Sequence, residues 1–411
     1  MHLEGVWESL AVPRHIAPRP EAVSRQPRVA RALAWLRSHE DWITEQQIRL
    51  TEIPAPPFGE ERRARAVADL LGECGWRAAI DEVGNVVAES EQDEARVVLL
   101  SAHLDTALAP DGTVHVRRDG TRLRAPGISD NGAGLAALVA VAAAFRATEL
   151  ATRLGVVFAA NVGEEGEGNL RGMRALVARY GRRLEAGIAV DGPSTSHITT
   201  AGIASRRFEA VISGPGGHSW ASAGAPNPIH ALGRAIARIV SIPLADNPRT
   251  SLNIGAIEGG GAVNAIPARA AMKIDLRSES ETELDALEND IRRAVELGAV
   301  AERETARSGS LALAVEFRPL GSRPAGRLLS QSPLLAAIRE VDRFLGLDSR
   351  LQAASTDANI PLSLGIPAIA LGGGGTGGGA HTDEEWYDAD GRVAGLERIL
   401  LTLLLVAGLA A

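Results

Sequence analysis

Four aliphatic runs of strand length each lead, directly or through a short turn, into a carboxylate or an imidazole, and this regularity limits the fold more than any other feature of the chain. Val97 to Ser101 runs into His103-Leu-Asp105, Leu154 to Ala160 into Glu164-Glu165, and Gly187 to Val190 into Asp191. Ile366 to Leu371 leads through a glycine loop to His381. Uninterrupted aliphatic runs suit strands covered on both faces. Helical patterns lie between them: Glu60 to Cys74, with Ala64, Val67, Ala68 and Leu71 on one face, Ala133 to Phe145, and Asn169 to Tyr180. The alternation predicts an α/β fold with a mainly parallel sheet. In such a sheet, ligands gather at the carboxyl ends of the strands, which is where these acids and histidines fall.

With 411 residues, the chain is too long for one ordinary core; at roughly 150 residues per domain it holds two or three. The texture changes near Arg206. Strand patterns at Arg207 to Ser213, Ser251 to Glu258, Ala268 to Arg277 and Leu311 to Pro319 alternate with helical patterns at Ile229 to Ile242 and Glu281 to Leu297. That βαββαβ order is the ferredoxin-like arrangement of a small separate domain. After Arg327 the α/β texture resumes, with a helix to Phe344, the Ile366 to Leu371 strand and a last helix from Arg392. The expected architecture is a catalytic α/β/α domain built from residues 1–204 and 321–411, interrupted by an α+β domain over 205–320. Within its first part, Val29 to Leu50 is amphipathic, Arg77 to Asp81 and Asn85 to Ala88 are short strands, and Asp119-Gly120 turns a hairpin between Val114-His-Val116 and Thr121-Arg-Leu123.

Composition narrows the function. Lys plus Arg is 43 and Asp plus Glu 51, a formal charge of −8, which argues against a nucleic-acid or anionic-membrane surface. Aromatics at 3% argue against a stacking platform for single strands. The lone cysteine, Cys74, excludes an intrachain disulfide and a cysteine-based zinc site. Met1 to Pro20 lacks the long apolar run of a signal peptide. The longest apolar stretches, Leu135 to Phe145 and Leu400 to Ala411, fall short of the roughly 18–20 residues needed to span a bilayer. A reducing, cytoplasmic setting is the expectation.

Adding Asp130, which precedes a helix in Ser129-Asp-Asn-Gly132, gives five candidate ligands from five segments: His103, Asp130, Glu165, Asp191 and His381. Two imidazoles and three carboxylates suit zinc or another divalent ion. If one carboxylate bridges, five side chains hold two ions. Singly, each has a bland reading. Asp130 would cap its helix, Asp191 would end a strand, and Glu-Glu pairs are ordinarily solvated, as expected of Glu60-Glu61 and Glu384-Glu385. The joint pattern is what those readings do not explain. A metal-bound imidazole needs its other N–H held, a role open to Asp105 two residues after His103. Adjacent Glu164 and Glu165 diverge, so the natural division puts Glu165 on metal and Glu164 as general base. A metal lowers the pKa of bound water from 15.7 to about 7. Glu164 then takes a proton as hydroxide attacks a carbonyl and passes it to the leaving amine.

The stretches Ser101-Ala-His-Leu-Asp-Thr106, Ser129-Asp-Asn-Gly-Ala-Gly134, Gly163-Glu-Glu-Gly166, Val190-Asp-Gly192 and Ala380-His-Thr382 resemble, in order, the five metal-site motifs of one hydrolase family. It is the zinc family of peptidase T, carboxypeptidase G, aminoacylase, acetylornithine deacetylase and succinyl-diaminopimelate desuccinylase. The resemblance runs from about Thr51 to the end; the first 45 or so residues have no counterpart. It implies that Asp130 bridges, that His103 and Asp191 complete one ion and Glu165 and His381 the other, that Asp105 orients His103, and that Glu164 is the base. It also implies that the inserted domain is a lid and dimerisation domain. His218 in Gly214-Pro-Gly-Gly-His-Ser219 would then reach the other subunit's active site and help hold the oxyanion. Asn264 and Arg277 on the lid, and Ser355, Thr356 and Asp357 near the metals, would contact substrate, with Arg277 pairing a substrate carboxylate.

The implied activity is amide hydrolysis with two divalent ions, zinc first and cobalt or manganese as alternatives. The run Ser355 to Trp386 as a whole most resembles the peptidase T branch, which favours an aminopeptidase on small peptides. An N-deacylase of acylated amino acids is the alternative, and a non-catalytic metal-binding homologue the third class. The expected partner is a second copy of the chain. Gly372 to Gly379 has seven glycines in eight positions, but no Lys-Ser/Thr follows and no helix opens after it, so it is not a phosphate loop.

Overall fold

The computed structural model describes residues 19–90, 96–109, 112–306 and 312–410. Residues 1–18, the start of the first expected domain, lie outside this range, as do Leu311 and Ala411.

The main sheet has four parallel strands at its centre, in the order Gly155–Asn161, Val97–His103, Leu184–Val190, Ala368–Leu371. Its margins are mixed: Ala78–Ile80 and Val86–Glu89 add antiparallel on one side, and on the other His197–Gly202 and Gly326–Arg327 add antiparallel while Arg350–Ala354 runs parallel to His197–Gly202. The sheet is α/β and parallel at its heart, as expected, but mixed at its edges. The Val97–His103 strand is buried throughout. Its alternate residues enter two different cores, Val98, Leu100 and Ala102 in one and Val97 and Leu99 in the other, so both faces are covered. The larger core takes the helices Pro27–Ser38, Glu40–Thr51, Glu61–Glu73, Gly132–Ala147, Pro333–Leu345 and Arg392–Ala407; Arg171–Tyr180 packs in the smaller one. Val29 to Leu50 is thus two helices rather than one amphipathic run.

Arg398 of the last helix is fully buried against Asp342, with Nε 2.6 Å and Nη2 2.8 Å from the two carboxylate oxygens. No described helix is long and apolar enough to cross a membrane.

A second, separate core fills the space between a four-stranded antiparallel sheet and the helices Pro228–Ile239 and Glu281–Thr305. Its strands are Ala204–Ser213, Thr250–Gly259, Arg269–Ser278 and Ala314–Arg323, with the fourth beside the first and the first beside the third. Phe208, Ile212, Ile274, Leu276, Leu287 and Ile291 form its centre. The hairpin lies slightly later than its sequence pattern suggested, at Arg117–Asp119 and Arg122–Arg124. Leu123 and Tyr387, both buried, set its register against the Trp386–Asp388 strand.

Candidate active site

The central strands end level with one another. His103 lies opposite Asn161, Ser101 opposite Ala189, and Val190 opposite Leu371, so the residues that follow meet at one sheet edge. The Ser129–Asn131 turn is brought to the same edge by Asn131. Its Nδ2 donates to the Val190 carbonyl at 2.9 Å, and its Oδ1 accepts from the N–H groups of Gly134 and Gly192. The helix cap is therefore Asn131, which leaves the Asp130 carboxylate free to face the cluster. Gly134 is required here: a Cβ would lie 2.0 Å from Asn131 Oδ1 and 2.6 Å from the Val190 carbonyl.

The two oxygens of Asp130 face different imidazoles. Oδ1 is 3.1 Å from His103 Nε2, and Oδ2 is 3.1 Å from His381 Nε2. Asp191 Oδ1 lies 3.7 Å from His103 Nε2, and Glu165 Oε1 lies 2.8 Å from His381 Nε2. Ligand atoms of His103, Asp130 and Asp191 fall within 4.8 Å of one another, as do those of Asp130, Glu165 and His381, and those of His103, Glu164 and Glu165. The geometry thus places all five candidate ligands in one cluster, with Asp130 common to two groups. His381 has a left-handed backbone, φ 63°, which costs a side-chain-bearing residue about 1–2 kcal/mol.

Electrostatics follow from this crowding. Burial alone would depress the His103 pKa, but Asp105, Asp130 and Asp191 outweigh it and hold it well above the usual value. Hydrogen bonds to Asp130 and Glu165 raise His381 to about 10. Burial would raise Asp130; the two imidazoles reverse this and hold it below the usual carboxylate range.

Asp105 stands beside His103, as expected, and holds a second segment as well. His103 Nδ1 lies 3.1 Å from the Asp105 backbone carbonyl and 3.6 Å from its carboxylate. The carboxylate also accepts the backbone N–H of Glu164 at 3.0 Å and of Glu165 at 2.7 Å. It therefore fixes the Glu-Glu turn at the same time as it flanks the imidazole. Below it, Arg63 is buried and donates to the carbonyls of Ile53 and Leu104 and to Thr106 Oγ1.

Glu60 and Glu385 are not in solvated turns. Glu60 is buried and paired with Arg171. Glu385, 1% exposed, accepts from the N–H groups of Gly127, Ser129 and Asp130 at 2.7–2.8 Å and from Ser129 Oγ. It ties the Asp130 turn to the chain just after His381. Nothing in the local sequence distinguishes it from exposed Glu384.

A cavity of about 300 Å³ opens over the cluster, lined by Asp130, Glu164, Glu165, Asp191, His381 and Ser355 and by three arginines, Arg207, Arg277 and Arg323. Asp275 holds Arg207 Nε at 2.8 Å and Arg277 Nε at 2.9 Å. Thr356 borders a neighbouring cavity of about 220 Å³ that also reaches Asp191. Asp357 is buried behind the site. Its Oδ2 accepts from Asn161 at 2.7 Å, and burial pushes its pKa up to about 7. Two expected residues of the lid, His218 and Asn264, line neither cavity. His218, on the lid, is exposed and accepts from the N–H of Trp220, while the Asn264 carbonyl accepts from Ser219. Arg207, Arg323, Asp275 and Glu385 were not anticipated. The glycine run approaches protein rather than an anion: a Cβ on Gly372 would lie 2.1 Å from the carbonyl oxygens of Pro193 and Ser194.

A sequence model of the peptidase family M20/M25/M40 matches residues 99–405. A protein of Pyrococcus abyssi, named provisionally as a LysW-lysine/LysW-ornithine hydrolase, is 37% identical over 127 residues, which are 31% of this chain and 34% of that protein. The succinyl-diaminopimelate desuccinylase of Corynebacterium glutamicum is 27% identical over 338 residues, 79% of this chain and 86% of that enzyme. Among solved structures, aminopeptidase PepT from Bacillus cereus superposes with a TM-score of 0.70 at 20% identity, over 90% of this chain and 99% of that one. At that identity the likeness concerns the fold.

Proposed function

The chain belongs to the peptidase family M20/M25/M40, and from that premise we propose that it cleaves an amide bond of small peptides as an aminopeptidase, with Glu164 as general base beside two divalent ions. The family is one of metal-dependent hydrolases, so action on amide bonds follows from membership; the aminopeptidase preference is our own reading. The observation that carries the two-ion reading is Asp130, whose oxygens each face a different imidazole at 3.1 Å. The donor set fits borderline divalent ions, with nitrogen and carboxylate ligands and no thiolate.

His103 and Asp191 would hold one ion and Glu165 and His381 the other, with Asp130 between them. Zinc is the first candidate; cobalt and manganese are alternatives. When bound, the ions supply Lewis acidity to the attacking water and the substrate carbonyl. Glu164, buried at the cavity wall, takes the proton of the attacking water. The new C–O bond forms, the C–N bond breaks, and Glu164 returns the proton to the leaving nitrogen. Asp105 keeps Glu164 and Glu165 aimed in different directions by holding both backbone N–H groups. Arg277 would pair the substrate carboxylate and Ser355 would line its path, with Thr356 and Asp357 behind.

His218 and Asn264 belong to this reading only through a homodimer, in which each lid serves the other subunit's site. Support comes from the lid surface: Trp220, Val263 and Ile257 are 86%, 105% and 58% exposed, and the Thr250–Gly259 edge strand pairs on one side only. We place the inserted domain at 205–320, with its last strand running on to Arg323, and a cytoplasmic setting is consistent with the single cysteine. The desuccinylase likeness over 86% of that enzyme favours a second reading, an N-deacylase.

The test is a panel of free-amine di- and tripeptides against N-acetyl and N-succinyl amino acids, run with metal analysis. Turnover of free-amine peptides with two ions per chain is expected. Turnover of the N-acyl compounds alone would replace the first reading with the second.

A further inference from the structure

We propose that Gln47 and Arg392 are positioning residues of the metal centre: through Tyr387 they tie the loop carrying Asp130 to the loop carrying His381, and so set the affinity of the ion assigned to Glu165 and His381. The inference rests on the two-ion reading above. It goes beyond that reading by naming what keeps two ligands, 251 residues apart in the chain, in register.

The tie is one buried run of side chains. Gln47, fully buried in the Glu40–Thr51 helix, donates from Nε2 to the Ile128 carbonyl at 2.7 Å. Its Oε1 accepts from Arg392 Nη2 at 2.9 Å. Arg392 Nε donates to the Tyr387 hydroxyl at 3.0 Å, and that hydroxyl donates to the Gly374 carbonyl at 3.1 Å. Ile128 stands two residues before Asp130, and Gly374 lies in the glycine loop that leads to His381. Glu385 already grips the N–H groups of the Asp130 turn. Gln47 takes the carbonyl just ahead of them, so the turn is held from two sides.

Stability alone does not account for the hub. Arg392 is buried, yet among the described residues every acceptor of its guanidinium is neutral: Gln47, Tyr387, Thr44 Oγ1 at 2.8 Å and the Glu40 carbonyl at 3.4 Å. It also opens the Arg392–Ala407 helix, the end at which the helix dipole disfavours a cation. A buried charge without an ionic partner is costly, and apolar residues of similar volume would stabilise the site better. On the same helix, Arg398 is neutralised by Asp342; Arg392 is not. What the guanidinium supplies here is reach, since its planar fork meets Gln47 and Tyr387 at once. Close packing stiffens the link. A Cβ on Gly374 would lie 2.4 Å from the Arg392 carbonyl, and one on Gly375 2.5 Å from the Tyr387 hydroxyl.

The two ions would depend on this tie unequally. His103 ends one central strand and Asp191 follows the next, so the main sheet fixes their spacing. Glu165 is fixed by Asp105. His381 lies exposed in a turn outside every strand. Its distance to Asp130 is set by what joins the two loops, Glu385 on one side and the Gln47–Arg392–Tyr387 run on the other. A slackened tie lets His381 drift from Asp130, which weakens the second ion and leaves His103 and Asp191 in place.

The test titrates zinc stepwise against a chelator, with thermal unfolding alongside. The step lost in His381→Ala identifies the second ion. Gln47→Leu breaks the run at one link. Tyr387→Phe breaks it at another, keeping the ring in the apolar cluster it shares with Ile128 and removing only the hydroxyl. Each should weaken the second step about tenfold or more and leave the first within about twofold. A run already broken is not broken further, so the double variant should be no weaker than the weaker single one. Losses that multiply, or a second step unchanged in Tyr387→Phe, overturn the proposal; the latter decides the matter even if Gln47→Leu does not fold. Leu400→Ala, a core truncation on the helix that Arg392 opens, should lower the unfolding temperature without moving the second step. Equal weakening there, or equal weakening of both steps in Gln47→Leu, reduces the run to ordinary stability and overturns it. A metal-free arm separates the tie from the two-ion reading. In chelated Gln47→Leu, hydrogen exchange should quicken around Ile128, which Gln47 contacts, and around Gly374, linked to it through Arg392 and Tyr387. Faster exchange around Ile128 alone overturns the tie. If wild type takes up fewer than two ions, the two-ion reading fails and the exchange arm alone judges the tie.

Discussion

A carboxyl group that trades protons during turnover needs an elevated pKa, and burial raises that of Glu164 well above the ordinary value; Arg323 and His103 oppose the rise, while Glu165 and Asp191 add to it. Glu164→Ala removes the proton carrier without touching a proposed ligand. Metal content should stay near wild type while kcat falls about 10²–10⁴-fold, measured by steady-state assay alongside metal analysis. Retained turnover would take the base role from Glu164. At this scale the sequence was informative for residues whose partners are set by strand ends. His103, Asp191 and the Glu-Glu pair could be read from the runs before them. Arg323 could not, because its partner Glu164 lies 159 residues away in another domain and no local pattern marks a guanidinium that will be buried.

The turns that carry the ligands are braced from outside themselves. Glu385 gathers three backbone N–H groups of the Asp130 turn, so one carboxylate couples the segment before the Gly132–Ala147 helix to the segment after His381. Glu385→Gln keeps the shape but loses the charge on these bonds. It should cost about 1–3 kcal/mol of stability and weaken metal binding tenfold or more, read by thermal unfolding and by competition with a chelator. Unchanged affinity would show that the turn holds itself. The elements themselves were largely legible, since aliphatic runs and helical spacing report burial directly. The margins of the main sheet were not. The His197–Gly202 strand is short and threonine-rich, and its place is set by partners at Gln352, Ala370 and Gly326 rather than by its own pattern.

At the scale of the molecule, protons and metal compete for the same imidazoles. In the metal-free protein, Asp130 and Glu165 raise His381 to about 10 from an ordinary value near 6.5. A raised histidine contributes stability that is fully present below about 6.5 and lost as pH climbs through about 10. The chelated protein should therefore lose thermal stability across that window while the loaded protein does not, and loading should release protons into a weakly buffered solution. A flat profile for the chelated protein, or no proton release, would contradict the assigned cluster. Subunit sharing is tested at the same scale. His218→Ala and Glu164→Ala, each nearly inactive, should recover about a quarter of wild-type turnover when their subunits are mixed, because half of the dimers then contain one complete site. No recovery would confine His218 to its own lid.

The main sheet is built from both ends of the chain, and the inserted unit from its middle. During synthesis every strand of the lid leaves the ribosome before Ala368–Leu371 and His381 exist. The guest can finish folding while its host still lacks a central strand, a brace and its final imidazole. A nascent or prematurely halted product would carry a finished lid above an incomplete cage. The cage is thereby completed only once the segment carrying His381 has been made.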